Sequence, residues 1–274
     1  MAEAAYVRRF NPYHRVLHII MATSFLGSVI TGMPLRYSDT PWAPWLMRAL
    51  GGYEQAGYIH RICAAVTFGY FFSHLIFAAY YIAFVKKFRF RIFGPESMVP
   101  RLKDLKDVYG SFRWFLGLGP RPEFDRWTYW EKFDYWAVFW GVGVIGLSGL
   151  CLWFPAFFGR FLPGWAFNVA AIVHSDEALL AAGFIFMIHF FNTHMRPEKF
   201  PMDTVIFTGR VPIDEFRRER PLEYGRLVRE GRLARLKTGP PPNWLLCLAV
   251  PYGALLVVTG LLLLVLILLG MLVY

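Results

Sequence analysis

Long apolar stretches alternate with polar, charged segments along this chain. A helix needs about 20 mostly apolar residues to cross a bilayer, at about 1.5 Å per residue. Five stretches meet this requirement: about 15–35, 58–85, 134–158, 166–193 and 243–273. The pattern therefore predicts an all-α membrane protein with five membrane-spanning helices.

Local signals refine these five spans. The first follows basic residues, as a signal peptide would, but has no small-residue cleavage box, so it is interpreted as a retained helix. The Trp-rich segment 42–50 is expected to form a short interfacial helix. The third span is expected to break at Pro155. The fifth is nearly pure Leu, Val and Ile and is expected to face lipid or a partner's membrane anchor.

Composition agrees with a membrane protein. Of the 274 residues, 56% are hydrophobic and 18% charged, against about 45–50% and about 25% in soluble domains. The high hydrophobicity, with 19% aromatic residues, excludes intrinsic disorder. The 24 Gly, 18 Pro and 27 Phe argue against a long coiled coil.

The net charge of +10 is unevenly distributed. Lys and Arg number 3 in the N-terminal segment, 11 in residues 86–132 and 11 in residues 196–237, against 4 on the opposite side of the spans. The positive-inside rule then predicts a cytoplasmic N-terminus, cytoplasmic long loops and an outer C-terminus. The charge fits this topology and attraction to anionic lipid, and it does not indicate nucleic-acid binding.

The histidines are concentrated in three spans. An ionisable side chain inside a membrane is costly and points to a function. At about 100° per residue, helical positions 14 or 15 apart lie on one face. His60 and His74 are 14 apart and His174 and His189 are 15 apart, so each pair shares a face. All seven lie in or beside the first, second and fourth spans: His14, His18, His60, His74, His174, His189 and His194.

The two pairs match in depth. Since the second and fourth spans run in the same direction, His60 matches His174 and His74 matches His189, in two layers about 20 Å apart. A haem iron with two axial imidazoles needs one such layer. The spacing thus predicts a four-helix haem-binding transmembrane bundle, two haems, and a fifth C-terminal transmembrane helix.

The inner layer has one histidine too many. His18 lies near the cytoplasmic end of the first span, at about the depth of His74 and His189, so three imidazoles compete for two positions. His194 is about 200° around the helix from His174 and is expected to face away, at the interface. His14 is expected to be interfacial as well.

Other residues are expected to surround the haems. Gly32 and Gly149 lie in similar segments of the first and third spans, where small residues allow a bulky group or a backbone to approach closely. Arg15 on the inner side and Arg61 on the outer side are candidates for haem propionate contacts, or alternatively for lipid headgroups. Asp176 and Glu177 are expected either to tune the outer haem or to pair with Arg61.

A quinone site, which the family resemblance described below implies, would lie at the start of the third span. Quinone reduction consumes two electrons and two protons, so its site needs titratable or hydrogen-bonding groups near the inner haem. Tyr129, Trp130, Glu131 and Lys132 supply such groups. The alternative is an interfacial aromatic belt with an ordinary charged pair.

The chain shows no motif for substrate chemistry. Its three cysteines are isolated in apolar stretches, which excludes covalent c-type haem and argues against zinc or iron–sulfur ligation. No dinucleotide fingerprint or catalytic triad occurs. The chain is therefore expected to be an electron-transfer subunit that depends on an outer-face iron–sulfur or multihaem cytochrome c partner. The rival hypothesis is a transporter or proton relay that uses buried histidines.

In their order, these motifs resemble the di-haem cytochrome b subunit of membrane formate dehydrogenases (the gamma subunit) and nickel–iron hydrogenases, with a core similar to b561- and b6-type cytochromes. The similarity covers roughly residues 10–195. The matching elements are Arg15-Val-Leu-His18, Thr31-Gly32, Gly57-Tyr-Ile-His60, Lys132 with Trp136, Ser148-Gly149, Ile172-Val-His174 and His189.

The resemblance implies two non-covalent b haems in a bacterial inner membrane, the outer one on His60 and His174 and the inner one on His18 and His189. It also implies electron exchange between the outer partner and quinone or menaquinone. His74 departs from the family pattern and resembles the ligand spacing of bc-type complexes, so His18 and His74 remain alternatives.

The resemblance also divides the chain into three parts. Residues 1–195 would form the di-haem domain. Residues 196–241 would form a charged cytoplasmic loop, and residues 242–274 the C-terminal membrane helix. The last two parts lie outside the family's four-helix core.

Overall fold

The computed structural model describes residues 6–87 and 91–273 and is about 74% helical. In chain order its elements are β1 (Tyr6–Arg8), α1 (Pro12–Arg36), α2 (Trp42–Ala49), α3 (Tyr53–Tyr80), α4 (Leu102–Phe115), α5 (Tyr129–Trp153), α6 (Pro155–Phe158), α7 (Gly164–Gly183), α8 (Val205–Thr208), β2 (Arg210–Pro212), α9 (Ile213–Glu219), α10 (Pro221–Arg229), α11 (Leu233–Leu236), β3 (Lys237–Thr238) and α12 (Asn243–Val273).

Five of these helices are long and apolar enough to cross a membrane, in the part of the chain that is described: α1, α3, α5, α7 and α12. The expectation of a five-helix membrane protein is confirmed at this level. The interfacial segment forms helix α2, as predicted. Pro155 ends α5 at Trp153 and begins α6, because a proline has no backbone N–H to continue the first helix.

Two of the spans continue as π-helix. α3 is followed by the π-helical turn Tyr81–Val85, and α7 continues through Phe184–His189 and Phe191–Met195. A π-helix bonds i→i+5 and therefore turns through fewer degrees per residue than an α-helix. Residues beyond Gly183 consequently leave the face that a regular α-helical count assigns to them.

The chain divides into two compact units. The first, called the span unit below, contains Val16–Leu75, Val138–Asp203 and Val250–Tyr274. The second, the loop unit, contains Met1–Arg15, Ile76–Ala137 and Thr204–Ala249. This division differs from the three consecutive parts expected from the sequence, because three separate stretches of chain meet in the loop unit.

An apolar cluster joins α1, α7 and α12 inside the span unit. Its buried members are Leu26, Val29, Met33, Tyr37, Ala182, Phe186, Phe190, Leu263 and Ile267. A Cβ at Gly260 would lie 2.6 Å from the Phe190 ring and 2.8 Å from the Phe186 ring. One face of α12 is therefore packed within this chain, which corrects the expectation that the helix contacts only lipid or a partner's anchor.

Small residues also bring the other spans together. A Cβ at Gly27 on α1 would lie 2.6 Å from Cys63 Sγ on α3. A Cβ at Gly146 on α5 would lie 2.9 Å from the Phe68 ring on α3. Small residues allow this close approach because apolar burial drives helix association only weakly inside a bilayer.

The loop unit contains a small antiparallel sheet that the sequence pattern did not indicate. β1 is the central strand and pairs with β2 on one side and β3 on the other, with Val7 opposite Val211 and Lys237. Val7 is buried with Val205, Val211, Phe216 and Leu227. The protein is therefore mainly α-helical, as expected, but it also contains this small sheet.

Buried charges are paired within the loop unit. Glu223 accepts hydrogen bonds from Arg9 at 3.2 Å and Arg126 at 2.9 Å. Glu96 pairs with Lys86 and Arg232, each at 3.1 Å. Burial alone would raise the pKa of Glu96, but these two cations outweigh it and lower the pKa to about 2.

Candidate functional site

Two histidines from different helices face each other in the span unit. His60 on α3 and His174 on α7 have ring centroids 6.0 Å apart, with the ring planes inclined at 72°. The structure thus brings together the two imidazoles that the sequence places at the same depth.

The Nδ1 atoms of both rings are engaged by neighbouring helices. His174 Nδ1 donates to the Ile145 carbonyl oxygen on α5 at 2.9 Å. His60 Nδ1 lies 2.8 Å from Thr31 Oγ1 on α1, and that hydroxyl donates its own proton to the Gly27 carbonyl at 2.7 Å. His60 Nδ1 is therefore the donor to Thr31, which leaves Nε2 of both rings as the unprotonated nitrogen.

The pair fits a haem iron. With metal–nitrogen bonds of about 2 Å and about 1.2 Å from nitrogen to ring centre, two imidazoles on opposite sides of an iron have centroids about 6.3 Å apart. The observed 6.0 Å agrees with this spacing. In the described residues no group of three or more His, Cys, Asp or Glu side chains is arranged to bind a bare metal ion.

Both predicted glycines lie against these rings. A Cβ at Gly149 would be 2.9 Å from His174 Cε1, and one at Gly32 would be 3.4 Å from His60 Cε1. Gly149 is thus the tighter position, because a Cβ contact under 3.0 Å requires the imidazole to move.

The charged residues near this pair have other partners than the sequence suggested. Asp176 pairs with Arg36 at 2.6 Å, and Glu177 accepts a hydrogen bond from Trp140 Nε1 at 3.1 Å. Arg61 is exposed, with its guanidinium 6.0 Å from the Trp153 ring centroid. The alternative in which Asp176 or Glu177 pairs with Arg61 is therefore replaced by these contacts.

A second cluster of histidines lies at the other end of α1 and α7. His18 is within range of the charges of both His189 and His194. The structure thus brings His18 near His189, and their role as inner-layer ligands stays a prediction. His74 lies against Phe139, with ring centroids 6.2 Å apart.

The position of His194 corrects the sequence analysis. A count of 100° per residue turned it away from the histidine face, whereas the structure buries it, at 8% exposure, near His18 and His189. The π-helical segments Phe184–His189 and Phe191–Met195 cause the difference, because their smaller turn per residue rotates His194 back. A regular hydrophobic period in the sequence could not have shown that His194 lies near His18 and His189.

The remaining predicted residues lie in the loop unit. Arg15 Nε donates to the Phe207 carbonyl oxygen at 2.7 Å, so its guanidinium contributes to the fold of that unit. His14, expected at the interface, lies 2.6 Å from Asn11 Oδ1.

The charged members of the candidate quinone site form ion pairs. Lys132 is 2% exposed and donates to Asp104 at 2.8 Å. Glu131 accepts hydrogen bonds from the Thr128 backbone at 2.8 Å and from Arg220 at 2.9 Å. Both side chains thus have partners from other parts of the loop unit.

The aromatic members of that segment are more accessible. Tyr129 and Trp130 are partly exposed, and both rings contact Phe124, with centroids 6.3 Å and 4.9 Å away. The rings of Tyr129 and Trp130 thus pack on the buried ring of Phe124 beside the first turn of α5.

Neither protein-family models nor curated proteins gave any match to this sequence.

Proposed function

We propose that this chain is a membrane di-haem cytochrome b subunit that passes electrons between a redox partner on the outer face and the quinone pool. The observation that carries the proposal is the facing pair His60 and His174, with both Nδ1 atoms engaged and ring centroids 6.0 Å apart. A structural histidine needs one hydrogen-bond partner. Two rings 6.0 Å apart, each with its Nδ1 held by a neighbouring helix, leave both Nε2 atoms available for a shared metal.

The outer site would consist of His60, His174 and their supports. Thr31 and Ile145 fix the tautomer and orientation of the two rings. When bound, a b haem would supply a one-electron carrier whose potential depends on its axial ligands and their hydrogen bonds. The pairing of Asp176 with Arg36 moderates the carboxylate charge next to His174.

The inner site would use His18 and His189. Their closeness supports this pair, and His74 stays the alternative inner ligand. His194 would be a third imidazole beside them.

Quinone would bind near the first turn of α5. The accessible aromatic surface at Tyr129 and Trp130 supports this location. The engaged side chains of Glu131 and Lys132 would then act as structural supports rather than as proton donors to the substrate.

The distribution of basic residues supports an N-terminus on the cytoplasmic side of a bacterial inner membrane. An iron–sulfur or multihaem cytochrome c subunit on the outer face would then exchange electrons with the His60–His174 site.

Haem content of the purified protein tests the proposal. We expect a reduced-minus-oxidised α band and two b haems per chain by the pyridine haemochrome assay. His60→Ala and His174→Ala should each reduce the content to about one haem, since each removes an axial ligand. His14→Ala, which alters a histidine outside both clusters, is the matched control and should retain two.

A wild-type protein without haem would overturn the proposal and favour the proton relay. Two haems retained in both His60→Ala and His174→Ala would overturn the outer-site assignment.

A further inference from the structure

Helix α4 of the loop unit turns its apolar side chains outward. Leu105, Tyr109 and Phe112 are 68%, 66% and 64% exposed, and Leu102 and Leu116 belong to the same stripe at 79% and 71%. Their spacing of three or four residues places them on one helix face. A surface helix normally buries such a face, so its exposure in a folded unit needs an explanation.

The opposite face fixes this orientation. Asp104 is buried and accepts hydrogen bonds from Lys132 Nζ at 2.8 and 2.9 Å. Asp107 is also buried and pairs with Lys103 at 2.6 Å, and Ser111 is 4% exposed. Rotating the helix to bury its apolar stripe would break the contact between Asp104 and Lys132 and leave two buried charges unpaired.

Basic residues border the apolar stripe. At about 100° per residue, Lys106 and Arg113 fall within about 40° of the stripe edge at Leu102, while the two aspartates point to the far side. Lys106 and Arg113 also line an open cleft that includes Arg121. That cleft also contains Asp107 and Glu123, and its Arg121 is paired with Glu219 at 3.3 Å. Lys106 and Arg113 are the exposed cations beside the stripe, and such cations at the edge of an apolar face are typical of helices that lie on anionic lipid.

The position of α4 in the chain keeps it near a membrane. It lies in the connection between the second candidate span, which ends at Val85, and the third, which begins at Tyr129. Both ends of the connection are thus anchored to membrane helices, and a helix of 14 residues extends for about 21 Å.

We propose that α4 is an interfacial helix, with its apolar stripe in the acyl boundary of the bilayer and Lys106 and Arg113 on the phosphate groups of anionic lipids. Charge complementarity selects this occupant over a second protein. The proposal is independent of haem binding and of electron transfer.

Quenching of a fluorescent label in nanodiscs tests this proposal. Bimane attached to Phe112→Cys reports on the apolar stripe, and bimane on Arg229→Cys reports on an exposed polar helix of the same unit. Wild-type protein is labelled in parallel to subtract the signal of Cys63, Cys151 and Cys247. We expect doxyl lipid to quench the label at 112 and aqueous iodide to quench the label at 229.

The outcomes separate the possible occupants. Iodide quenching at 112 equal to that at 229 would mean that the stripe faces water and would overturn the proposal. A label at 112 shielded from both quenchers would mean that protein covers the stripe, which also overturns it.

Charge reversal tests the headgroup contacts. Lys106→Glu combined with Arg113→Glu should increase iodide quenching at 112 several-fold in discs rich in phosphatidylglycerol, because two attractive charges become repulsive. The change should be much smaller in discs of phosphatidylcholine alone. An equal change in both lipids would overturn the assignment of these residues to anionic headgroups.

Discussion

A single hydroxyl orients one imidazole of the outer pair. Thr31 Oγ1 donates along its own helix to Gly27 and accepts from His60 Nδ1 on the next helix. A buried hydrogen bond of this kind contributes about 1 kcal/mol, and leaving the N–H unsatisfied costs about 1–3 kcal/mol. Thr31 therefore affects both the geometry and the basicity of the proposed ligand.

Replacement of this hydroxyl should change a redox potential. In Thr31→Val the methyl group preserves the volume but no longer accepts the proton of His60 Nδ1, so the imidazole becomes a weaker electron donor. We expect the midpoint potential of one of the two haems to rise by tens of millivolts in a redox titration. Thr31→Ser retains the hydroxyl and should match the wild type. Equal potentials in the Val and Ser variants would contradict the role of Thr31.

The two glycines beside the rings should differ in tolerance. In Gly149→Ala the new Cβ would lie 2.9 Å from His174 Cε1, whereas in Gly32→Ala it would lie 3.4 Å from His60 Cε1. Since overpacking typically costs about 1–3 kcal/mol, we expect Gly149→Ala to lose much of one haem and Gly32→Ala to keep both. The number of haems per chain is the measurement. A greater loss of haem in Gly32→Ala than in Gly149→Ala would show that the ring positions differ in the haem-bound protein.

At the scale of the element, the sequence predicted the regular α-helices better than the π-helical segments. α1, α3, α5, α7 and α12 follow from the length of their apolar stretches, and the meeting of His60 and His174 follows from helical spacing. The location of His194 could not be derived, because the π-helical segments depend on packing that leaves no period in the sequence. The partners of Lys132 and Glu131 were hidden for a related reason, since Asp104 and Arg220 are distant in the sequence.

The two candidates for the inner ligand can be separated by mutation. His18 lies close to His189, which favours His18 as the second inner ligand. We therefore expect His18→Ala to contain about one haem per chain and His74→Ala to retain two, by pyridine haemochrome. Loss in His74→Ala alone would instead support the bc-type pairing.

At the scale of the whole molecule, short strands and ion pairs connect distant stretches of the chain in the loop unit. β1 pairs with strands more than 200 residues later, and Glu96 pairs with Lys86 and Arg232. Strands of two or three residues have too little pattern to be recognised in a sequence. This is the part of the fold that sequence reasoning missed most completely.

The Glu96 pairs should make this unit sensitive to acid. The pKa of Glu96 is lowered to about 2 in the folded protein, against about 4.3 for a free glutamate. Its stabilising contribution is therefore complete above about pH 4.3 and is lost as the pH falls towards 2. We expect cleavage of the loop unit by pepsin to increase over this range.

Two variants isolate the contribution of Glu96. Glu96→Gln should be cleaved faster at pH 5 and show a weaker increase towards pH 2, because the group that titrates is gone. Glu230→Gln, which removes an exposed partner of Arg232, is the control and should behave like the wild type. An unchanged pH profile in Glu96→Gln would assign the acid sensitivity to other carboxylates.

The central location of β1 has a consequence for biosynthesis. β1 is synthesised about 230 residues before β3, a delay of roughly 10–50 s at about 5–20 residues per second. Four candidate membrane helices are made in that interval. The first strand of the chain must therefore wait, unpaired, until most of the protein has been inserted, and a nascent chain arrested before residue 205 would contain neither of its partner strands.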